Sequence, residues 1–231
     1  TVNINANDVT VEGFIMTTQC IYATIRVANG ITGAQILDND ISNNWTAVGL
    51  SPNSTGSTVM RNLVHNNVYG ITVGGSQNNT VSNNEVYDNA SGGILFKCGG
   101  EGYCDSSGTA VTGNNVYGNY YGVEVNSDVI SLSTAVLIDS NTIDENDCAG
   151  IVINSWVSGF AITGNSIAEN GGGCERTGIH VYSVDQIAIH GNTITGNDNG
   201  VLNESGAETP LDATRNYWGA ANGPSGDGAG D

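Results

Sequence analysis

The stretch GNTITGNDNGVLN, from Gly191 to Asn203, is the clearest indication of the fold, because close copies of it recur as GNSIAEN, SNTIDEN, GNNVYGN and SNNEVYDN. Each copy has an Asn, a hydrophobic residue two positions later, and a second Asn three positions after that. The copies are Asn39/Ile41/Asn44, Asn62/Val64/Asn67, Asn84/Val86/Asn89, Asn114/Val116/Asn119, Asn141/Ile143/Asn146, Asn165/Ile167/Asn170 and Asn192/Ile194/Asn197, followed by a last anchor at Asn216. Steps of 22 to 30 residues between first Asn residues indicate a solenoid.

Apolar residues around each copy predict three short strands per repeat. After the second Asn they alternate, as in Val48/Leu50, Ile71/Val73, Ile94/Phe96, Val123/Val125, Ile151/Ile153 and Ile179/Val181. Another apolar position lies three residues before each first Asn, from Val11 and Ile36 to Ile189 and Ala213. The sequence therefore predicts an all-β, single-domain right-handed parallel β-helix of about nine coils over residues 1–219, with a Gly-rich tail or linker over 220–231.

The repeated Asn residues are predicted to be structural. Asn tolerates the left-handed conformation of a tight bend, and its side-chain amide can hydrogen-bond the equivalent Asn of the next coil. The predicted ladder comprises Asn39, Asn62, Asn84, Asn114, Asn141, Asn165, Asn192 and Asn216.

Composition and charge argue against several classes of partner. The chain has 231 residues, with 5 Lys or Arg against 23 Asp or Glu and a net charge of −18. This charge repels nucleic acids and anionic membrane surfaces. No apolar run reaches the ~20 residues that span a bilayer, so neither nucleic-acid binding nor membrane insertion is predicted. The opening TVNINANDVTVEGF, without Met or an apolar leader, is expected of a processed or excised piece.

The chain resembles the right-handed β-helix repeat family that includes NosD-like domains and carbohydrate-binding or sugar-hydrolase (CASH) domains. The segments NINANDVTVEGF and LDATRNYWGAANGPSG are similar to those that border such domains in archaeal and bacterial surface proteins. The resemblance implies a β-helix fold, but the family hosts lyases, hydrolases, epimerases, adhesins and structural subunits.

Five cysteines leave one over if the others pair. Cys98 and Cys104 flank the longest insertion and are predicted to form one disulfide, and Cys148 and Cys174 in consecutive coils a second. Cys20 is then either a buried small hydrophobe or a bond to another chain. Cys-x-x-Cys pairs are absent, and the three His residues form no local cluster with cysteines, so a metal site is not predicted.

Five sequons, at Asn44, Asn53, Asn78, Asn89 and Asn203, are candidate glycosylation sites. Together with the predicted disulfides they favour an extracellular or cell-surface location. No cofactor is predicted, although the Asp-rich turns DNDISNN and GDGAGD leave calcium open.

Catalytic candidates are weak. The five cationic residues lie in different repeats, which argues against a groove for uronic acids. A glycosidase needs two carboxylates ~5–9.5 Å apart. Glu145 and Glu169 occupy the same position in adjacent coils, and Asp88 occupies it in an earlier one. A solvated turn is the simpler interpretation of this column. Tyr87 and Tyr117 share a neighbouring column and could stack on a sugar.

Two further patterns favour assembly. The outward positions of the strand after the second Asn are Arg26, Gly49, Thr72, Leu95, Glu124, Val152, His180 and Leu202. Three of them are apolar, so either loops cover them or they contact another molecule. Neither terminus carries an amphipathic capping helix. Either the chain is a fragment whose caps were excluded, or its ends stack on neighbouring subunits, because open terminal coils recruit other strands. The sequence therefore favours a non-enzymatic subunit of a filament, sheath or envelope that associates end to end or laterally. The alternative is a carbohydrate-binding or glycan-cleaving domain, a hydrolase or a lyase.

Overall fold

The computed structural model describes residues 1–17, 22–99, 104–126, 135–154, 157–174, 176–182, 184–205 and 211–219. These residues form 25 strands in three parallel sheets, visited in turn as the chain winds. The strands make eight complete coils and begin a ninth, slightly fewer than the nine predicted. The predicted all-β parallel β-helix with three strands per coil is confirmed. Cys20 and the tail 220–231 lie outside the described residues.

Sheet A contains nine strands. They are β1 (Val2–Ile4), β4 (Ala23–Val27), β7 (Thr46–Leu50), β10 (Tyr69–Gly74), β13 (Gly92–Lys97), β16 (Tyr121–Val125), β19 (Ala149–Ile153), β22 (Thr177–Val181) and β25 (Asn199–Asn203).

Sheet B contains eight strands. They are β2 (Thr10–Glu12), β5 (Gln35–Leu37), β8 (Thr58–Met60), β11 (Thr80–Ser82), β14 (Ala110–Thr112), β17 (Val136–Asp139), β20 (Val157–Thr163) and β23 (Val184–His190).

Sheet C also contains eight strands. They are β3 (Ile15–Met16), β6 (Asp40–Ser42), β9 (Leu63–His65), β12 (Glu85–Tyr87), β15 (Asn115–Tyr117), β18 (Thr142–Asp144), β21 (Ser166–Ala168) and β24 (Thr193–Thr195).

Alternation along each strand builds one continuous core. Equivalent positions of successive coils pair in register, so Val48, Ile71, Ile94 and Val123 form one inward column of sheet A. These β-branched side chains are fully buried, and they suit the stacked strands of a solenoid because the branch packs against the coils above and below.

The recurring Asn residues form two buried ladders at the bends on either side of sheet C. Asn119 is representative. Its backbone N–H and its Nδ2 both donate to Oδ1 of Asn146, at 3.1 Å each, and its own Oδ1 accepts from Asn89. Each such hydrogen bond contributes ~0.5–1.5 kcal/mol, and a buried amide left without its partner costs more. The ladder therefore fixes the stacking of the coils and explains the sequence period.

Both predicted disulfides are present. Cys98 is bonded to Cys104, and Cys148 is bonded to Cys174. The first joins two cysteines that are six positions apart in sequence, beginning directly after β13. The second joins consecutive coils.

Candidate functional site

A groove of about 610 Å³ crosses the outer face of sheet A at its N-terminal end. Its floor is formed by outward positions of β4, β7, β10 and β13, so that the groove runs across the strands and along the axis of the β-helix. Its lining residues are Thr1, Asn3, Tyr22, Ala23, Arg26, Trp45, Thr46, Gly49, Leu50, Ser51, Pro52, Thr72, Gly74, Lys97 and Gly99. The volume lies in the range of small-molecule sites.

Small residues keep the floor of the groove flat. A methyl group at Gly49 would lie 3.1 Å from Cβ of Ala23 and 3.5 Å from Oγ1 of Thr72. At the far wall, a methyl group at Gly99 would overlap the ring of Pro52. Glycine at position 99 therefore lets the backbone directly after Cys98 approach Pro52 at this wall of the groove.

Two of the five cationic residues of the chain line this groove, although they are 71 residues apart in sequence. Arg26 is exposed and its Nε donates to Oγ of Ser51 at 3.1 Å. Lys97 is half-buried, and burial lowers its pKa from the ordinary value. The described lining residues include no Asp or Glu. Coiling thus brings two cations from distant repeats to one face, which the sequence-based argument against a groove for uronic acids did not anticipate.

These two cations lack a carboxylate partner among the ion pairs of the described residues. Arg61 pairs with Asp38 at 2.7 Å, and Arg176 pairs with Asp198 at 2.9 Å. A chain with 23 acidic residues thus leaves the cations of its groove available for an anion. Three strand spacings of ~4.8 Å place β4 and β13 about 14 Å apart, which is longer than a single sugar ring.

Aromatic side chains form the other wall of the groove. Trp45 is 52% exposed and Tyr22 is 71% exposed. Trp45 contacts the half-buried Tyr69 edge to face, with ring centroids 6.1 Å apart. Exposed rings of this kind provide large amphipathic contact surfaces. The sequence offered no signal for this grouping beyond the residue types.

Glu124 lies on the same face, one strand beyond the groove. It sits on β16 opposite Leu95 of β13 and is only 8% exposed. Its Oε2 would be 3.2 Å from a methyl group at Gly92, so its side chain leans back over β13. Asn126 Nδ2 lies 3.5 Å from Oε1. Burial raises the pKa of this carboxyl group.

The three apolar residues at outward positions of sheet A are mostly buried. Leu95 is 2% exposed and Val152 is fully buried, whereas Leu202 is half-buried. The sequence allowed either covering of these residues by loops of the chain or contact with another molecule. Their burial within the chain itself agrees with covering by loops. Leu95 and Val152 therefore offer no surface to another molecule.

The predicted carboxylate column is an exposed turn. Asp88, Glu145 and Glu169 all have positive φ angles of 51° to 53° and are exposed. Glu145 and Glu169 occupy adjacent coils, while Gly118 separates Asp88 from them. None of the three lines the groove. This arrangement agrees with the simpler interpretation of ordinary solvated carboxylates.

In the tyrosine column of sheet C, Tyr87 has no face free for the predicted stacking on a sugar, and for Tyr117 that stacking stays a prediction. Tyr87 is stacked between His65 and Tyr117, with ring centroids 4.9 and 5.0 Å away. Both faces of Tyr87 are therefore covered. Tyr117 in addition donates its hydroxyl hydrogen to Glu85 at 2.8 Å, which contributes to a raised pKa of the phenol after the larger effect of burial.

Two of the five candidate glycosylation sites are incompatible with the structure. Asn44 and Asn89 belong to the buried ladder, where their Nδ2 atoms donate to Asn67 and Asn119. A glycan on either nitrogen would remove these bonds and could not be buried. Asn53, Asn78 and Asn203 are exposed, and glycosylation there stays a prediction.

The described residues contain no cluster of three His, Cys, Asp or Glu side chains with metal-site geometry. His65, His180 and His190 lie on sheets C, A and B, and the four described cysteines are in disulfides. In the turn DNDISNN, Asp38 pairs with Arg61 and Asp40 with His65. The turn GDGAGD lies outside the described residues. The described part of the chain also contains no helix with the length and hydropathy of a membrane span.

Residues 3–223 match the family model described as periplasmic copper-binding protein (NosD). The copper in that description finds no support in the side chains described above, since copper sites gather His, Cys or Met ligands. No curated protein is similar enough in sequence to count as a relative.

Several solved structures share the fold. A mutant of the periplasmic alginate epimerase AlgG is 16% identical with a TM-score of 0.70, and the match covers 90% of this chain and 50% of that protein. The A-modules of the Azotobacter vinelandii mannuronan C-5 epimerases AlgE4 and AlgE6 are 16% and 15% identical, with TM-scores of 0.66 and 0.60. Those matches cover 93% and 94% of this chain and 58% of each module. At this identity the likeness is one of fold.

Proposed function

The chain belongs to the NosD family, and from the groove on its sheet A we propose that it binds a polysaccharide containing uronic acids. The observation that carries this proposal is the lining of the groove. Arg26 and Lys97 supply positive charge, Trp45 and Tyr22 supply aromatic surface, and none of the described lining residues is a carboxylate. Charge-assisted hydrogen bonds to carboxylates are about twice as strong as neutral ones.

The shape of the groove favours a polymer over a monosaccharide. The floor crosses four strands, β4, β7, β10 and β13, and is open at the surface. A ligand that contacts both cations must span about 14 Å. A linear chain of several sugars that lies along the axis of the β-helix meets this requirement, with Trp45 packing against one ring.

The fold relatives support the same choice of ligand. AlgG, AlgE4 and AlgE6 are by name enzymes of alginate or mannuronan, which are polymers of uronic acids. Their likeness to this chain favours the glycan-binding alternative over the predicted filament. The chain covers only about half of each relative's length, so their activity is not transferred with the fold. An extracytoplasmic location, where such polymers occur, is part of this proposal.

Isothermal titration with polymannuronate and with a neutral glucan of matched length tests the proposal. We expect saturable binding of polymannuronate alone. Arg26→Gln should weaken binding about tenfold or more, because one charge-assisted hydrogen bond contributes ~1.5–3 kcal/mol. Arg61→Gln is the matched control, since Arg61 is exposed and paired with Asp38 away from the groove. Equal binding of both polymers, or an equal effect of both variants, would contradict the proposal.

Self-association into a filament or sheath stays a separate proposal. The observation that favours it is the exposure of Phe14 and Ile15, at 55% and 78%, beside and on β3, the outermost strand of sheet C. Electron microscopy of the native protein with and without reductant tests it. Regular polymers would support assembly, and short monodisperse rods would contradict it.

A further inference from the structure

We infer that the binding surface continues past the groove to a second aromatic platform, formed by Tyr120 and Tyr121, that takes a further ring of the same polysaccharide. This inference rests on the proposed binding of a polyuronate and lengthens its binding site. Neither tyrosine is among the described lining residues of the groove. The ligand it implies is a chain of sugars that extends beyond β13 and reaches β16.

The two platforms occupy the same position of the coil. The residues that directly precede the strands of sheet A form a row along one edge of that sheet. Trp45 directly precedes β7, and Tyr120 directly precedes β16. The intervening strands pair in register, so the two residues lie in one row, three coils apart. At ~4.8 Å per strand their backbone positions are about 14 Å apart, along the same axis as the groove.

Each exposed ring is braced by a half-buried tyrosine. Trp45 is 52% exposed, and its ring contacts Tyr69 edge to face at an interplanar angle of 70°. Tyr120 is 40% exposed, and its ring contacts Tyr121 at 68°, with centroids 4.7 Å apart. Both bracing tyrosines are the first residues of their strands, β10 and β16. Rings held in this way lose little conformational freedom when a ligand binds, which favours affinity.

The second disulfide holds Tyr120 from the side that faces away from the groove. Cys148 is the next residue of the row, and its backbone N–H donates to the carbonyl oxygen of Tyr120 at 2.9 Å. Cys148 is bonded to Cys174, whose Sγ lies 3.6 Å from the hydroxyl oxygen of Tyr120. The covalent link between the coils therefore also fixes the position of the exposed ring.

Small side chains separate the two platforms. Val68 and Ser91 directly precede β10 and β13, and both are half-buried. Gly92, the first residue of β13, is buried, and a methyl group there would lie 3.2 Å from Oε2 of Glu124. The side chain of Glu124 thus fills the space over Gly92 and keeps the surface level. A sugar chain can pass along this edge from Trp45 to Tyr120.

The chemistry of the row favours a sugar over a protein. Exposed rings separated by small or polar positions suit the faces of separate pyranose rings, whereas a protein interface requires a contiguous apolar core. Further along the row, Arg176 is paired with Asp198 at 2.9 Å. Asp147, directly before Cys148, is exposed. Tyr120 therefore contacts the apolar face of a ring and not its carboxylate, so this contact should depend little on salt.

Titration with two oligomannuronates tests the second platform. The short one spans only the distance from β4 to β13, and the long one also reaches β16. We expect the wild type to bind the long one about fivefold more tightly, or by ~1 kcal/mol, at low and at high salt. Tyr120→Ala should abolish this gain and leave the affinity for the short one unchanged, while Tyr120→Phe, which keeps the ring, should retain the gain.

Tyr217→Ala is the matched control, because Tyr217 is 51% exposed at the opposite end of the β-helix. Thermal unfolding of every variant checks that it is folded. Equal affinity of the wild type for both oligosaccharides, or an equal loss in Tyr120→Ala and Tyr217→Ala, would overturn the second platform and leave the groove proposal intact.

Two further results would also overturn the second platform. Weaker binding of the short oligosaccharide by Tyr120→Ala would show that the substitution acts through the groove. A wild-type dimer that dissociates in Tyr120→Ala, seen by sedimentation, would assign the exposed rings to a second copy of the chain. Failure of both oligosaccharides to bind the wild type would overturn the proposed function together with this inference.

Discussion

The Nζ atom of Lys97 lies 5.7 Å from the centroid of the Tyr69 ring, at the end of a groove whose lining, in the part of the chain that the structure describes, contains no carboxylate. A half-buried ammonium without an anionic partner is costly, and the aromatic ring offsets only part of that cost. The position is therefore better explained by a ligand than by stability.

Replacement of this lysine should separate stability from binding. Because burial lowers the pKa of Lys97, the charged form is disfavoured in the folded state. The associated loss of stability is present below the folded pKa and disappears as the pH rises above the unfolded value. We expect Lys97→Met to raise the thermal midpoint at neutral pH and to weaken polymannuronate binding about tenfold. Scanning calorimetry and titration measure the two effects, and a variant that lost stability and kept full affinity would contradict this account.

Burial of Glu124 should also make the stability of the protein depend on pH, here through a negative charge instead of a positive one. Its folded-state pKa is raised by burial, so its protonated form favours folding. The stability it contributes is complete below the unfolded pKa and is lost as the pH rises through the folded value. Each unit of pKa elevation corresponds to about 1.4 kcal/mol. We therefore expect Glu124→Gln to match the wild type in urea unfolding at acidic pH and to exceed it at neutral pH. If Glu124→Gln and the wild type had equal free energies of unfolding at both pH values, burial of the Glu124 carboxylate would not cost stability.

Trp45 should provide the main apolar contact to the ligand. It is 52% exposed at the rim of the groove, so its truncation removes ligand contact more than core packing. We expect Trp45→Ala to weaken polymannuronate binding about tenfold, for a loss of ~1.4 kcal/mol, with little change in thermal midpoint. Tyr217→Ala is the matched control, because Tyr217 is 51% exposed at the opposite end of the β-helix. Similar losses in the two variants would exclude a specific stacking site at Trp45.

The Asn ladder should dominate stability. Asn119 is fully buried, and replacement by Ala removes the oxygen that accepts from the backbone N–H and Nδ2 of Asn89, as well as one of the two donors to Oδ1 of Asn146. We expect Asn119→Ala to lower the free energy of unfolding by ~2–4 kcal/mol, as several buried hydrogen bonds are lost together. Asn115 is exposed on the adjacent strand β15, so Asn115→Ala should change the free energy of unfolding by less than ~0.5 kcal/mol. Urea unfolding measures both changes. If the free energy of unfolding fell equally in Asn119→Ala and Asn115→Ala, the ladder would not stabilise the fold.

The fold follows from the sequence because one rule acts in every coil. Asn at a bend and alternating apolar residues, as at Ile71 and Val73, place each strand and its register. Both disulfides also follow, since the cysteines lie in one loop or in consecutive coils. The glycosylation motif predicted accessible side chains less well. Asn44 and Asn89 satisfy the motif, but both are buried in the Asn ladder, where their side-chain amides are hydrogen-bonded.

The groove could not be predicted in the same way. Arg26 and Lys97 are 71 residues apart, and their shared face depends on which outward positions the flanking segments cover. The spacing of the sequence predicted that Glu124 lies in the outward column beside Leu95. It did not predict that the Glu124 side chain is buried. The column of Glu145 and Glu169 was visible because its members repeat in register, whereas the groove combines residues from different positions of the coil.

A crystal structure with a mannuronate oligosaccharide would show whether the groove binds a polyuronate. We expect an oligosaccharide along the groove across β4, β7, β10 and β13, with carboxylates at Arg26 and at Lys97 and one ring against Trp45. An oligosaccharide bound at the exposed turn of Glu145 and Glu169, or an empty groove in crystals soaked well above the measured dissociation constant, would contradict it.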